Sequence, residues 1–432
     1  MLLVSACSDS GSSSTVVQDD EEPVSTTVSI GGGVTKGPVA GATINVYAVD
    51  ENGDKSAEPI ATATTDENGQ YTIELTDFTG VYIVEATGGT YVDEATGTSK
   101  SIPAEAPLRA VSTVETADES TTVTASVTPL TEIATQVAEQ KPGGLTADNV
   151  TAGNDEVGSL FFGTTEGAGE NLLTTTPADI TKEDSETASD DERLYGLMVG
   201  AISELENQTG SLAEAVSTIA NDIAADGNLS DSSDDLVAAT NTVISSPTNN
   251  SGVTSATKVT NVLTAAASGS GTQVAQSSDA EITGFRFEDT LTRTIDRQQM
   301  SISVLQPFDT DLASLADPTI AVSLGATVEP ADGEDFTGPV DYVVTAEDGT
   351  QVTWTVTVTV AESEASPLAN ITGATSDLIT SIVINNTTHA IVGSVENLPE
   401  LATLDNTDGS SSYHIPASES TQGQSWTLDR GK

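Results

Sequence analysis

The chain is 432 residues long, which suggests about three domains at roughly 150 residues each, and its 66 Asp and Glu against 13 Lys and Arg give a formal net charge of −53. That balance excludes a nucleic-acid binder, because phosphate neutralisation needs clustered Lys and Arg. Aromatic residues are only 4% with two Trp, too few for an extended stacking platform, while 36% apolar residues suffice for folded cores.

The one cysteine, Cys7, excludes an intramolecular disulfide, so each domain rests on its core. Leu3-Val4-Ser5-Ala6-Cys7 resembles the lipobox of bacterial lipoproteins, followed by the polar run Ser8 to Ser14 and the acids Asp19-Asp20-Glu21-Glu22. The resemblance implies that residues 1–7 are the remnant of a signal peptide, that Cys7 is diacylated and becomes the N-terminus, and that Ser8 after it directs the chain to the outer membrane. Each buried CH₂ of such an anchor contributes about 0.8 kcal/mol. Six residues before Cys7 are fewer than a signal peptide needs, so its start is expected upstream. The plainer alternative is a free cysteine in a polar tail. Residues 8–27 are too poor in apolar groups to fold and read as a disordered tether. No later run reaches the roughly 18 apolar residues of a membrane-spanning helix.

From 28 to 115 the pattern has period two with turn punctuation, as in Ala42 to Val49, Gln70 to Leu75 and Val81 to Glu85, which predicts a β-sandwich. Lys36-Gly37-Pro38-Val39-Ala40-Gly41-Ala42-Thr43-Ile44 and Thr65-Asp66-Glu67-Asn68-Gly69-Gln70-Tyr71 resemble the carboxypeptidase-regulatory-like, prealbumin-like module of bacterial surface proteins. The resemblance implies a spacer or binding module, with Asn68-Gly69 in a turn that needs positive φ. Related Cna-type modules form a Lys–Asn/Asp crosslink beside a carboxylate. Lys36 and Glu85 are the residues here that could be set in those roles, against the reading of Lys36 as a solvated turn lysine.

Between 127 and 267 helical spacing takes over. Leu130, Ile133 and Val137 begin a first helix, and Ser189-Asp190-Asp191-Glu192 caps a second that carries Leu194, Leu197, Met198, Ala201, Ile202 and Leu205. Leu212 to Ile223, Leu236 to Ile244 and Val253 to Ala267 follow, and 142–187 reads as an irregular insertion. The whole is expected to be an acidic helical bundle domain. Asp222, Asp226, Asn228 and Asp231, where a helix runs into a Gly-containing turn, offer oxygen ligands for calcium without matching an EF-hand loop; the alternative is helix termination and capping.

Ser268-Gly269-Ser270-Gly271 opens a linker, 268–281. Residues 282–361 are again β, ending in Val340 to Ala346, the turn Asp348-Gly349 and the strand Thr353 to Val360. This stretch resembles the Ig-like sandwich repeats of bacterial surface proteins, with Trp354 as strand packing. The tail, 366–432, is β-rich, with strands expected at Leu378 to Ile384 and His389 to Val395. The fold class is therefore multidomain and mixed: a prealbumin-like all-β sandwich, an α-helical bundle and a second, Ig-like β-sandwich behind a disordered tether.

The two histidines, His389 and His414, both lie in the tail, and no nucleophile elbow, phosphate loop or Cys/His metal cluster occurs. The expectation is a protein that is not an enzyme: a lipoprotein of the cell envelope, anchored at the outer membrane and facing outward, whose modules serve adhesion, matrix contact or envelope structure. The alternative is a ligand-capture lipoprotein that binds a glycan, a peptide or calcium for a partner system. A third reading is an accessory module to a hydrolase encoded elsewhere. Expected partners are the membrane, through the acyl anchor, and an extracellular glycan or protein, not nucleic acid.

Overall fold

The computed structural model describes residues 25–361, apart from 117–119, 165–166, 183–184, 270–271 and 332–333, together with the strands between 368 and 429. The expected anchor at Cys7 and most of the tether lie outside the described residues. The chain forms two compact units. The first comprises Met1–Asp279 with Ser323–Ala326 and Ala346–Thr350, the second Ala280–Val322, Thr327–Thr345 and Gln351–Lys432.

The first unit opens with β1 (Thr27–Gly33), β2 (Ala40–Ala48), β3 (Ala61–Thr64), β4 (Gln70–Thr76), β5 (Gly80–Val92), β6 (Ser99–Ile102), β7 (Leu108–Val114) and β8 (Ser120–Thr124). One sheet runs β4-β1-β8, the other β3-β2-β5-β6 with β7 also on β5. The turn before β4 folds for local reasons: the Asp66 carboxylate accepts the Asn68 and Gln70 amides at 2.9 and 2.8 Å, and Gly69 has φ 75°. Tyr71 then enters the core, its hydroxyl donating to the Ala125 carbonyl.

The helices are α1 (Pro129–Gln140), α2 (Ala147–Phe162), α3 (Ala168–Thr174), α4 (Asp190–Thr209), α5 (Leu212–Asp226), α6 (Ser233–Ile244) and α7 (Thr257–Ala267). Ser189 and Glu192 close a capping box at the start of α4, as their spacing predicts. The stretch 142–187, read from sequence as irregular, instead contains α2 and α3. Gly153 and Gly158 weaken the helical signal of α2, yet glycine is what the packing requires: a Cβ on Gly158 would stand 2.2 Å from the Ala168 carbonyl oxygen.

Sandwich and helices share one core. On β5, Tyr82, Val84 and Ala86 face the strands and join Ile30, Ile44 and Leu108. The alternating Val81 and Ile83, with Val111 of β7, instead pack on Ala138, Leu145 and Val150 of the helical segment. A strand buried on both faces reads as a continuous apolar run, which is how Val81 to Val84 appear in the sequence.

The second unit has a pair, β9 (Ile282–Arg286) and β12 (Thr319–Val322), and a five-stranded sheet of β10 (Thr292–Asp296), β11 (Ser301–Gln306), β13 (Thr327–Glu329), β14 (Val340–Thr345) and β15 (Gln351–Val360), ordered β10-β11-β15-β14-β13. Its core is aromatic. Phe285 meets Phe287, Phe336 and Tyr342 edge to face, and Trp354 is buried with its indole N–H on the Ala280 carbonyl at 3.2 Å. In the tail, β16 (Leu368–Thr372), β19 (Leu401–Asn406) and β20 (Ser412–Pro416) form one antiparallel sheet. There β17 (Ile379–Asn385), β18 (Ala390–Val395) and β21 (Ser425–Asp429) form another. The two strands expected there are β17 and β18.

Because α1 packs into the same core as the strands, Ile133→Ala should destabilise β1 to β8 together with the helices, by about 2–5 kcal/mol. Hydrogen exchange read by mass spectrometry checks this: protection should fall in strand and helix peptides alike, whereas loss confined to helical peptides would refute a shared core.

Candidate functional site

Two side-chain clusters of the first unit bring charge together, and both lie where strands meet helices. The first is built on the turn after β1. Gly37 has φ 63°, and a Cβ there would stand 2.4 Å from the Val92 carbonyl oxygen, so the turn presses on the end of β5. Lys36 is thereby fully buried. Its Nζ lies 2.9 Å from Asp93 Oδ2 and 2.6 Å from Glu206 Oε2, and donates to Ser203 Oγ at 3.1 Å; the Tyr91 ring centroid is 5.0 Å away. Lys100 pairs with the same two carboxylates at 3.0 and 3.2 Å. The buried Glu94 accepts from the Gly37 amide and, at 2.7 Å, from Ser203 Oγ.

Burial alone would lower the Lys36 pKa, but Glu94, Tyr91, Asp93 and Glu206 together hold it raised. Burial pushes Glu94 above the usual carboxylate range against the pull of Lys36. For Asp93 burial also acts upward, yet Lys36, Thr96 and Lys100 outweigh it and the net shift is downward. The turn lysine is thus neither solvated nor beside Glu85, which pairs with Lys55 at 3.0 Å. The cluster joins β-turn to α4.

The second cluster lines an open cleft of about 330 Å³. Glu85 on β5 and Arg109 on β7 are cross-strand partners. The Arg109 guanidinium grips Glu132 through Nε at 2.9 Å and Nη2 at 2.8 Å, and Glu139 through Nη1 at 2.5 Å. Glu132 and Glu139, two turns apart on α1, thus hold one guanidinium, and Gln136 Nε2 braces Glu132 by donating to its Oε1 at 2.8 Å. Burial drives Glu132 upward in pKa while Arg109 opposes it. Lys55 stands over the Tyr47 ring at 4.2 Å. Pro107, Leu108, Leu212, Ala213 and Val216 supply the apolar part of the lining.

The residues considered for calcium are arranged otherwise. Asp222 is buried and accepts the Asp231 and Ser232 amides at 3.1 and 2.8 Å, fixing the start of α6. Asp226 accepts the Asn228 amide at 3.0 Å and Ser230 Oγ at 3.2 Å. Among the described residues, no three His, Cys, Asp or Glu side chains are gathered so as to hold a metal ion. Backbone amides thus take oxygens of two of the four side chains, Asp222 and Asp226. Cys7 lies outside the described residues.

Residues 282–358, from β9 into β15, match the family model described as SGBP, N-terminal. No curated protein matches the chain. Among solved structures it is similar to a candidate glycoside hydrolase from Bacteroides thetaiotaomicron, at 23% identity over 33% of this chain and 37% of that one, with a TM-score of 0.19. It is also similar to a candidate secreted protein from Bacteroides fragilis, at 24% identity over 19% of this chain and 96% of that one, with a TM-score of 0.16. The chain thus spans little more than a third of the first of these, and likenesses with such scores carry no argument about its fold or activity.

Lys36→Met should destabilise the first unit by about 3–5 kcal/mol, because it removes the one fully buried cation facing Asp93, Glu94 and Glu206 and leaves only the partly exposed Lys100 against them. Adding Asp93→Asn should recover part of that loss in denaturant titrations. The lowered pKa of Asp93 means that its contribution is complete above its ordinary value of 3.8 and is lost as pH falls through the folded value. Asp93→Asn should therefore flatten the acid limb of the stability profile; an unchanged limb would refute the assignment.

Proposed function

We propose that this chain is a non-catalytic glycan-capture protein of the cell surface, anchored through a lipidated Cys7. The observation that carries the reading is the match of residues 282–358 to the SGBP N-terminal family, SGBP denoting surface glycan-binding proteins. Several features support it. The lipobox-like start and polar tether supply an address and a reach, and modules in series hold a binding surface away from the membrane. Capture needs no nucleophile or proton shuttle, in keeping with a sequence whose two histidines both lie in the tail. No observation favours adhesion, matrix contact or a purely structural role over capture, and the calcium reading gains no support from the Asp222 turn.

The test is affinity electrophoresis of the full chain through gels containing polysaccharides, with release of reducing ends measured in parallel. Retarded migration in at least one polysaccharide, without new reducing ends, is the expected outcome. Free migration throughout a broad panel would overturn capture, and released reducing ends would overturn the non-catalytic part. On intact cells, Cys7→Ala should abolish membrane association of the protein expressed with a complete signal peptide.

A further inference from the structure

The cleft between β7, α1 and the start of α5 has the composition of a ligand site of one chemical class. Its volume of about 330 Å³ falls at the lower end of small-ligand pockets, about 300–1,000 Å³. Its polar atoms are held before any ligand arrives, because Arg109, Glu132, Glu139 and Gln136 fix one another by hydrogen bonds of 2.5–3.2 Å. Pre-set partners spare the ordering cost of binding. A sugar hydroxyl both donates and accepts, so it can join such an array without breaking an ion pair, and the accessible apolar lining that the C–H face of a ring can meet is Ala106, Pro107 and Ala213.

Charge then selects among glycans. Three acids, Glu85, Glu105 and Glu132, line the cleft beside two cations, Lys55 and Arg109, with Glu139 adding a fourth carboxylate on Arg109. Nor does the cleft itself offer free counter-charge. Lys55 and Arg109 each have a carboxylate oxygen at 3.0 Å or less. A uronate or sulfate would have to displace one of these carboxylates against the field of a chain of net charge −53.

Resting on the capture reading, we propose that this cleft is a subsite for an uncharged sugar unit of a polysaccharide, and that uronate-rich and sulfated glycans are excluded. The experiment is affinity electrophoresis and calorimetry of the full chain with galactomannan, mixed-linkage glucan, dextran and arabinan as uncharged probes, and alginate, polygalacturonate and chondroitin sulfate as anionic ones. Two variants address the cleft. Ala213→Trp fills it from an exposed position of α5, and Gln136→Leu removes the amide while leaving the Arg109 pairs intact. Ala224→Trp, exposed elsewhere on α5, is the control.

The expected result is binding of an uncharged probe, weakened about tenfold or more by both cleft variants and unchanged in the control, with no binding of the anionic probes. Wild-type affinity in both cleft variants would overturn the site, and salt-sensitive binding of an anionic probe would overturn the class. Both failures leave capture standing. Retention of none of the probes would instead overturn capture itself, and this assignment with it.

Discussion

Thirteen basic side chains serve sixty-six carboxylates in this protein, and where those few cations are spent governs how the first unit holds together. An exposed ion pair stabilises by at most about 1 kcal/mol. Three of the cations sit where strands meet helices. Arg109 of β7 holds two carboxylates of α1, and Lys36 and Lys100 reach from the sandwich to Glu206 of α4. In such half-dry positions an unpaired carboxylate is expensive, so each pair works as an orientation constraint. A sandwich rotated away from α1 and α4 would leave Glu132 and Glu206 without a cation.

The same junction explains why β5 is buried on both faces. A two-sheet sandwich would leave Val81, Ile83 and Val111 in water, and the helical segment covers them with Ala138, Leu145 and Val150. Hydrophobic contact supplies the attraction at this seam, and Arg109 and Lys36 at its edges set its register. The β-module is thereby built into a larger core, and the face of β5 and β7 is no longer free for display, while β4 keeps an exposed face. The polar cleft lies at the edge of the covered face.

Much of this was legible in the sequence for identifiable reasons. The period-two runs of β2 and β4, the Asp66-to-Tyr71 turn, the Ser189 and Glu192 capping box and the Asp348-Gly349 hairpin are local signals, and each is found where its residues imply. α2 escaped because its glycines, required by contact with Ala168, resemble breakers when tertiary packing is out of view. Lys36 escaped for the opposite reason. A Lys-Gly-Pro turn looks solvated, and its partners Asp93, Ser203 and Glu206 stand 57 residues away or farther in sequence. The cleft was beyond sequence reasoning altogether, since Lys55, Glu85, Arg109, Gln136 and Ala213 belong to separate segments with no common motif. In the run of Asp222, Asp226, Asn228 and Asp231, the spacing offered oxygens to a cation, and the alternative also considered, capping, is the role the contacts give Asp222, whose carboxylate takes the amides at the start of α6.

The acid excess bears differently on what happens inside and outside the molecule. At physiological salt, charges on separate molecules are screened beyond about 8 Å, whereas partly buried pairs are screened far less. Salt therefore softens the mutual repulsion of neighbouring chains on a surface while leaving Arg109 and Lys36 nearly untouched. On the proposed reading, an uncharged polysaccharide is indifferent to that field, so a strongly anionic, self-repelling chain loses no ligand encounter. An anionic ligand would need a cationic patch, and the two cations of the cleft, Lys55 and Arg109, are already paired with carboxylates. On that reading, fold stability and the ligand class of the cleft both depend on Arg109, and freeing it to hold an anion would release the contact that sets α1 on the sheet.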